Sequence, residues 1–409
     1  MHFYESSIIT TKDGLFCQVY GNDHPLTSIL VKPKYIPTME VESNALPYRF
    51  ISGRKMNRLN LWSDKDGLRE YFEKFRKAYP SYILNSPYHK GHEGNRLFFS
   101  IPIEQIERIY FPRRGFQELM SMPKDALDRY LKKVYDFSEM ILKSGLSKKD
   151  IGITYSTLMG HYDAEISDMN FVIYGKENFW KLMQYLENCR NSRLRWKSDE
   201  EWLEFRKRRN RMQIFSEEEF LHSMSRKRSE GFFDDTLFVI FAAEKEEETW
   251  FKWGQERYTS LGLAKIRGKV KSNHSSVVRP GCYELSDAIV LETVRQSDSA
   301  ALETFGQDVG QKRGSMILEG LPITQVVFYS RDYCMLAYPD ETIEACGILE
   351  EVEQISGSAS AKKQYRLVIG YFDAYIDGRR EREYIKVVKD DLKKNKQKKV
   401  SQKENDDKW

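Results

Sequence analysis

Hydrophobic positions along this chain follow two different periods, and the change between them divides it. Up to about residue 122, short apolar runs at Leu15 to Val19, Ser28 to Val31 and Leu97 to Ile101 read as strands. One helical stripe interrupts them: Leu68, Phe72, Phe75 and Tyr79, preceded by Ser63 and Asp66 in a capping-box arrangement. A second stripe of Leu127, Tyr130, Leu131, Val134, Phe137 and Ile141 is opened by Pro123 and Asp125 and stopped by Gly145. Further helices are expected over Glu177 to Leu186, about Asp199 to Arg211, and Glu217 to Arg228, and the unbroken run Leu237 to Ala242 reads as a buried strand. From about Tyr258 the period is two. Runs at Gly262 to Val270, Ala288 to Val294, Gln325 to Tyr329, Glu341 to Val352 and Tyr365 to Ile376, with Gly and Pro between them, predict an antiparallel barrel or sandwich.

The pattern predicts an α+β fold in four segments. An N-terminal α+β region (1–122) is followed by a mixed sheet flanked by helices (123–257). A β-rich, OB-like barrel domain (258–386) comes next, then a charged tail (387–409). The tail has no apolar period and is expected to be disordered. Composition agrees with folded domains: 40% of the residues are hydrophobic, including 23 Phe and 24 Tyr.

Net charge is +4 from 65 Lys plus Arg against 61 Asp plus Glu, so local clusters matter more than the sum. They lie at Arg206 to Arg211, Arg226 to Arg228, Lys265 to Lys271 and from Lys393 onward, and such clusters suit polyanions or a solvated surface. Five scattered cysteines without a CxxC pair support neither a disulfide framework nor a zinc site. His89 and His92 read as an exposed loop. There is no N-terminal h-region and no apolar run near the roughly 18 residues that span a bilayer, so a cytoplasmic protein with no membrane partner is expected.

Candidate chemistry concentrates in Ile151 to Tyr174. An apolar strand runs into a turn bearing Thr154, Ser156 and Thr157, whose hydroxyls and backbone N–H groups can meet phosphate oxygens, and Gly160 closes the short helix after it. A second strand opens with Asp168, Met169 and Asn170. Residues i and i+2 on a strand share a face, as paired oxygen ligands for magnesium would. Phosphoryl transfer asks the protein mainly to place metal ions and phosphates.

This segment resembles the DNA polymerase beta-type nucleotidyltransferase superfamily, whose signature is a Gly-Ser turn followed by an Asp-x-Asp strand. Most of the chain is similar to an archaeal family of predicted nucleotidyltransferases, through Asp13-Gly14-Leu15, Tyr20-Gly21, His24-Pro25, Arg226 to Arg228 before Gly231-Phe232, and Ile266 to Val270. The resemblance implies a nucleotidyltransferase-like sheet, Ser156 on a nucleoside triphosphate and Asp168 on Mg2+, with a third carboxylate on a later strand. Asp234 and Asp235 are the candidates for it, ahead of Glu244; Asp163 and Glu165 lie near Asp168 but precede its strand. Tyr155 stands where the family has glycine and Asn170 where it has the second acid.

Two functions are therefore expected. One is Mg2+-dependent nucleotidyl transfer to an acceptor left open, RNA or DNA foremost. The other is a fold whose chemistry has lapsed, serving as a nucleic-acid-binding or assembly protein. His161 could touch a phosphate or order a nearby acid. Trp202 and Phe205 beside the Arg206 cluster, and Lys265, Arg267, Lys269 and Lys271 alternating along one strand, are the elements that could bind nucleic acid.

Overall fold

The computed structural model describes residues 1–38, 48–59, 65–91, 94–208, 214–294, 321–355, 363–375 and 382–388. Ser63, His92, Arg209 to Arg211 and nearly all of the charged tail lie outside them. The described residues form a mixed, β-rich α+β fold with seven α-helices and two sheets, one of 14 strands and one of five.

The larger sheet joins both ends of the chain. Strands Glu256–Ser272, Gly281–Val294, Ile323–Phe328, Gln364–Ile369 and Thr342–Gln354 pair in that order, and the last returns to the first, closing a ring. Four of these pairings are antiparallel. Ile323–Phe328 with Gln364–Ile369 is parallel, so the wholly antiparallel arrangement expected of this segment is corrected. Strand Ile83–Gly91 then pairs with Glu256–Ser272 at His89↔Tyr258 and Lys90↔Thr259, and the N-terminal strands continue outward from it. His89 is accordingly buried at 1% exposure among aromatic rings, not in an exposed loop.

The five-stranded sheet runs Leu194–Trp196, Glu230–Phe233, Thr236–Ala243, Met169–Tyr174, Ile151–Ile153. Alternation gives it two faces. Met169, Phe171, Ile173, Phe238, Ile240 and Ala242 pack with the helices, among them Arg129–Leu142 and Lys176–Asn188. Helix Arg129–Leu142 is capped by Asp128, whose carboxylate accepts from the Leu131 N–H at 2.8 Å. Lys124–Ala126, with Asp125, is a separate 3-10 turn rather than the helix start. Helix Asp199–Lys207 has a capping box between Ser198 and Glu201 and buries Trp202 at 2% exposure, so its aromatic side is core.

Tucked under the N-terminal strands, His24 is held neutral by geometry. Its Nδ1 accepts the Leu30 N–H at 3.1 Å, while Nε2 lies 3.3 Å from the Phe3 carbonyl oxygen. Burial pulls its pKa down from 6.5 to about 4. Between those values the unfolded chain binds more protons than the native one, so this contribution is whole above about pH 6.5 and is lost as pH falls towards 4. The cost at pH 5 is expected to be about 2 kcal/mol, from 1.36 kcal/mol per pKa unit. Urea unfolding at pH 7 and pH 5 checks it: His24→Asn, which keeps an acceptor but cannot charge, should lose less stability between the two pH values than wild type.

Candidate functional site: a cationic cleft

The second face of the five-stranded sheet is only partly covered. Val172, Tyr174 and Ala243 pack near Tyr4, while Asp168, Asn170, Leu237, Val239 and Phe241 line an open cleft of about 880 Å³. Opposite them stand Lys34 from strand Ser28–Pro37, Arg49 from Tyr48–Ile51 and Arg58 from Arg54–Arg58. Helix Asp199–Lys207 and the region of Arg279 and Arg331 complete the walls.

The charges are distributed unevenly. Three of the acids lining the cleft are answered by cations: Glu201 by Arg195, Glu204 by Lys207 and Glu230 by Lys197. By contrast Lys34, Arg49 and Arg58 have no hydrogen-bond or ion-pair partner among the described residues. The Lys34 ammonium lies over the Tyr155 ring, 3.7 Å from its centroid. Burial and then the Arg58 guanidinium pull its pKa down to about 7, and Asp168 acts in the opposite sense. An anion seated there would keep Lys34 protonated.

Of the three turn hydroxyls, Ser156 faces the cleft. Thr154 Oγ1 instead donates to the Ser6 carbonyl oxygen at 2.7 Å, and Thr157 Oγ1 shares a hydrogen bond with Tyr130 Oη at 2.8 Å. Tyr155 has φ +55°, the left-handed conformation that glycine adopts freely. A tyrosine there costs roughly 1–2 kcal/mol, and its ring is held edge-on against Phe241 at 5.7 Å. The turn thus has the backbone that a glycine would supply, but it carries a ring that occupies the space beside it.

Asp168 and Asn170 share the cleft face, as their spacing predicts. Asn170 is buried at 4% exposure and its amide donates to the Asp168 carbonyl oxygen at 3.3 Å. Strand Thr236–Ala243 runs parallel beside them with Asn170↔Val239 in register, so the neighbouring positions are Leu237, Val239 and Phe241. No carboxylate stands there.

Asp234 and Asp235 are elsewhere. They have φ +46° and +58° and form the two-residue turn of the hairpin that pairs Phe233 with Thr236. Asp234 is held by Arg193, with Nε 2.9 Å from Oδ1, and Arg195 Nε lies 3.6 Å from the exposed Asp235. Glu244, at 1% exposure, pairs with Lys176 at 3.0 Å; burial raises its pKa to about 7. Asp163 and Glu165 are exposed. Among the described residues no group of three His, Cys, Asp or Glu side chains could hold a metal ion. A two-metal centre does not fit this donor set: one carboxylate, one amide already hydrogen-bonded, apolar side chains on the adjoining strand, and cations across the cleft.

His161 stands edge-on to Tyr35, and burial lowers its pKa to about 4, with Lys34 adding to the shift, so it is neutral at pH 7. The alternating cations of strand Glu256–Ser272 are mostly matched: Lys265 and Arg267 by Glu344, Lys269 by Asp340. Arg226 is bound to Glu341 and Arg206 to the Phe215 carbonyl oxygen. All five cysteines are free, and no helix among the described residues is long and apolar enough to cross a membrane.

A full-length relative is an uncharacterized protein of Methanocaldococcus jannaschii, 26% identical over 379 residues that cover 90% of this chain and 96% of that protein. No family model and no solved structure matches the chain.

Proposed function

We propose that this protein binds a phosphorylated ligand, a nucleotide or nucleic acid, in the cleft, and that it does so on a nucleotidyltransferase-like sheet without two-metal transfer chemistry. The observation that carries this reading is the trio Lys34, Arg49 and Arg58, which line an open cleft with no hydrogen-bond or ion-pair partner for their side chains among the described residues. Cations gathered in a concave site attract phosphate oxygens, and arginine offers paired donors to them. The glycine-like backbone at Tyr155, the cleft-facing Ser156 and the parallel strands behind Asp168 support the nucleotidyltransferase-like reading of the sheet. The closed ring of five strands with one parallel pairing supports an OB-like reading of the C-terminal region, a class that binds oligonucleotides.

A second reading, Mg2+-dependent nucleotidyl transfer, draws on Asp168, which lines the cleft beside Ser156 with no ion-pair partner for its carboxylate among the described residues. Calorimetric titration of nucleoside triphosphate and of 5′-phosphorylated RNA, with and without Mg2+, separates the two. Binding is expected without metal, and Arg58→Glu should weaken it at least tenfold, or about 1.4 kcal/mol. Absence of binding at millimolar ligand would sink the proposal. Labelled nucleotide incorporated with Mg2+ and lost in Asp168→Ala would establish the second reading instead.

A further inference from the structure

The trio of Lys34, Arg49 and Arg58 is only one of two cationic poles in the cleft. At the other, Arg279 is 8% exposed, and its Nε has no hydrogen-bond acceptor among the described residues; Arg331 Nη1 also lacks one. Both guanidiniums converge on a single carboxylate oxygen. Glu5 Oε1 lies 3.1 Å from Arg279 Nη1 and 2.5 Å from Arg331 Nη2. Glu5 is fully buried, so two cations are set against one anion where water does little to screen them. Leaving an N–H group of a buried guanidinium unmet is costly, and beside a cleft such a group is placed to donate to an anion.

The two poles are joined by a pair of touching rings. Lys34 lies over Tyr155, Tyr155 meets Phe241, and the Arg331 guanidinium lies 3.6 Å from the Phe241 ring centroid. Between them the apolar surface of the floor is the Tyr155 and Phe241 rings, continued along the strand by Val239 and Leu237, with Asn170 and Asp168 on the neighbouring strand. A triphosphate carries its charges contiguously and would leave either one pole or this floor uncovered. A nucleic acid strand alternates charged phosphates with flat, largely apolar nucleosides, which is the order cation, apolar floor, cation found here.

We propose that Arg279 and Arg331 form a second anion subsite, so that the cleft takes a single-stranded segment of nucleic acid. One phosphate would sit at Lys34, Arg49 and Arg58 and the next at Arg279 and Arg331, with the intervening nucleoside on the apolar floor. This rests on the phosphate-binding reading of the cleft and narrows its ligand.

The test compares a 5′-phosphorylated dinucleotide, the matching 5′-mononucleotide and a nucleoside triphosphate by calorimetry. The dinucleotide is expected to bind at least tenfold more tightly than the mononucleotide. Arg331→Gln should erase that advantage and leave mononucleotide affinity unchanged, whereas Arg58→Glu should weaken both. Arg331 is the more exposed of the two arginines and so the safer substitution, with folding followed by circular dichroism; Arg279→Lys, which keeps the charge and removes the fork, is the second variant and should also reduce the dinucleotide's advantage. Equal binding of dinucleotide and mononucleotide, both lost in Arg58→Glu, would overturn the second subsite and leave the proposed function standing. Tighter binding of the triphosphate, indifferent to Arg331, would overturn it in favour of a mononucleotide ligand. If no phosphate compound binds at all, both proposals fall.

Discussion

Replacing Glu5 by glutamine is expected to lower the stability of the ligand-free protein by about 3–5 kcal/mol, the cost of breaking a buried ion pair from one side. Glutamine keeps the size and one carbonyl acceptor, so little is lost to packing; the charge is what goes. Arg279 and Arg331 would then face each other across a neutral group, with Arg279 at 8% exposure unable to turn its charge to water. The same logic predicts a compensation. Inorganic phosphate brings the missing negative charge, so the stabilisation it gives at fixed concentration should be larger in Glu5→Gln than in wild type, following the usual dependence on ligand concentration over dissociation constant. Urea unfolding of both proteins with and without phosphate measures the two effects together. A phosphate effect that is equal or smaller in the variant would show that these arginines do not receive an anion.

The second large effect lies at a buried ion pair between two strands of the closed ring. Glu350 and Arg366 face each other in register on strands Thr342–Gln354 and Gln364–Ile369, at 0% and 2% exposure. Arg366 Nε donates to Glu350 Oε2 at 3.0 Å, the Tyr371 hydroxyl donates to the same oxygen at 3.2 Å, and the guanidinium lies over the Tyr258 ring at 3.5 Å. Arg366→Leu keeps most of the volume but leaves the carboxylate with Tyr371 and with Arg96 at 3.7 Å. A loss of about 3–5 kcal/mol is expected. Glu350 also faces the buried Arg96, so removing all three charges in Arg96→Met, Glu350→Leu and Arg366→Leu should be less damaging than the single change, because a desolvated ionic cluster replaced by apolar groups often costs little. Chemical denaturation of wild type, the single variant and the triple variant gives the order directly; a triple variant less stable than Arg366→Leu alone would contradict this account.

How much of this could be read from the chain depends on where the signal lies. The stripe of Tyr130, Val134, Phe137 and Ile141 gave its helix because four buried residues at helical spacing have few other uses. The motif strand was equally legible, and so was the shared face of Asp168 and Asn170. The hairpin turn was missed, although Phe232-Phe233-Asp234-Asp235-Thr236-Leu237 is a turn signal: two short polar residues that tolerate positive φ, set between apolar runs. Reading those aspartates as metal ligands gave them a chemical task where a conformational one sufficed. The cleft's cations were invisible for another reason. Lys34, Arg49, Arg58, Arg279 and Arg331 come from several separate segments, and none belongs to the conspicuous basic runs, of which those at Arg226 and from Lys265 are paired with acids in the fold. A lone cation shows its purpose only when its neighbours in space are known.

The pairing of His89 with Tyr258 has a consequence for how the molecule is made. The strands that precede residue 91 complete their sheet against a strand that leaves the ribosome much later, and contacts of such long sequence separation form slowly. Lys34 and Arg58 are synthesised early, Arg279 and Arg331 late. A nascent chain therefore holds the residues of one wall of the cleft for a long interval without the other, and the cleft is not complete until translation has passed residue 331.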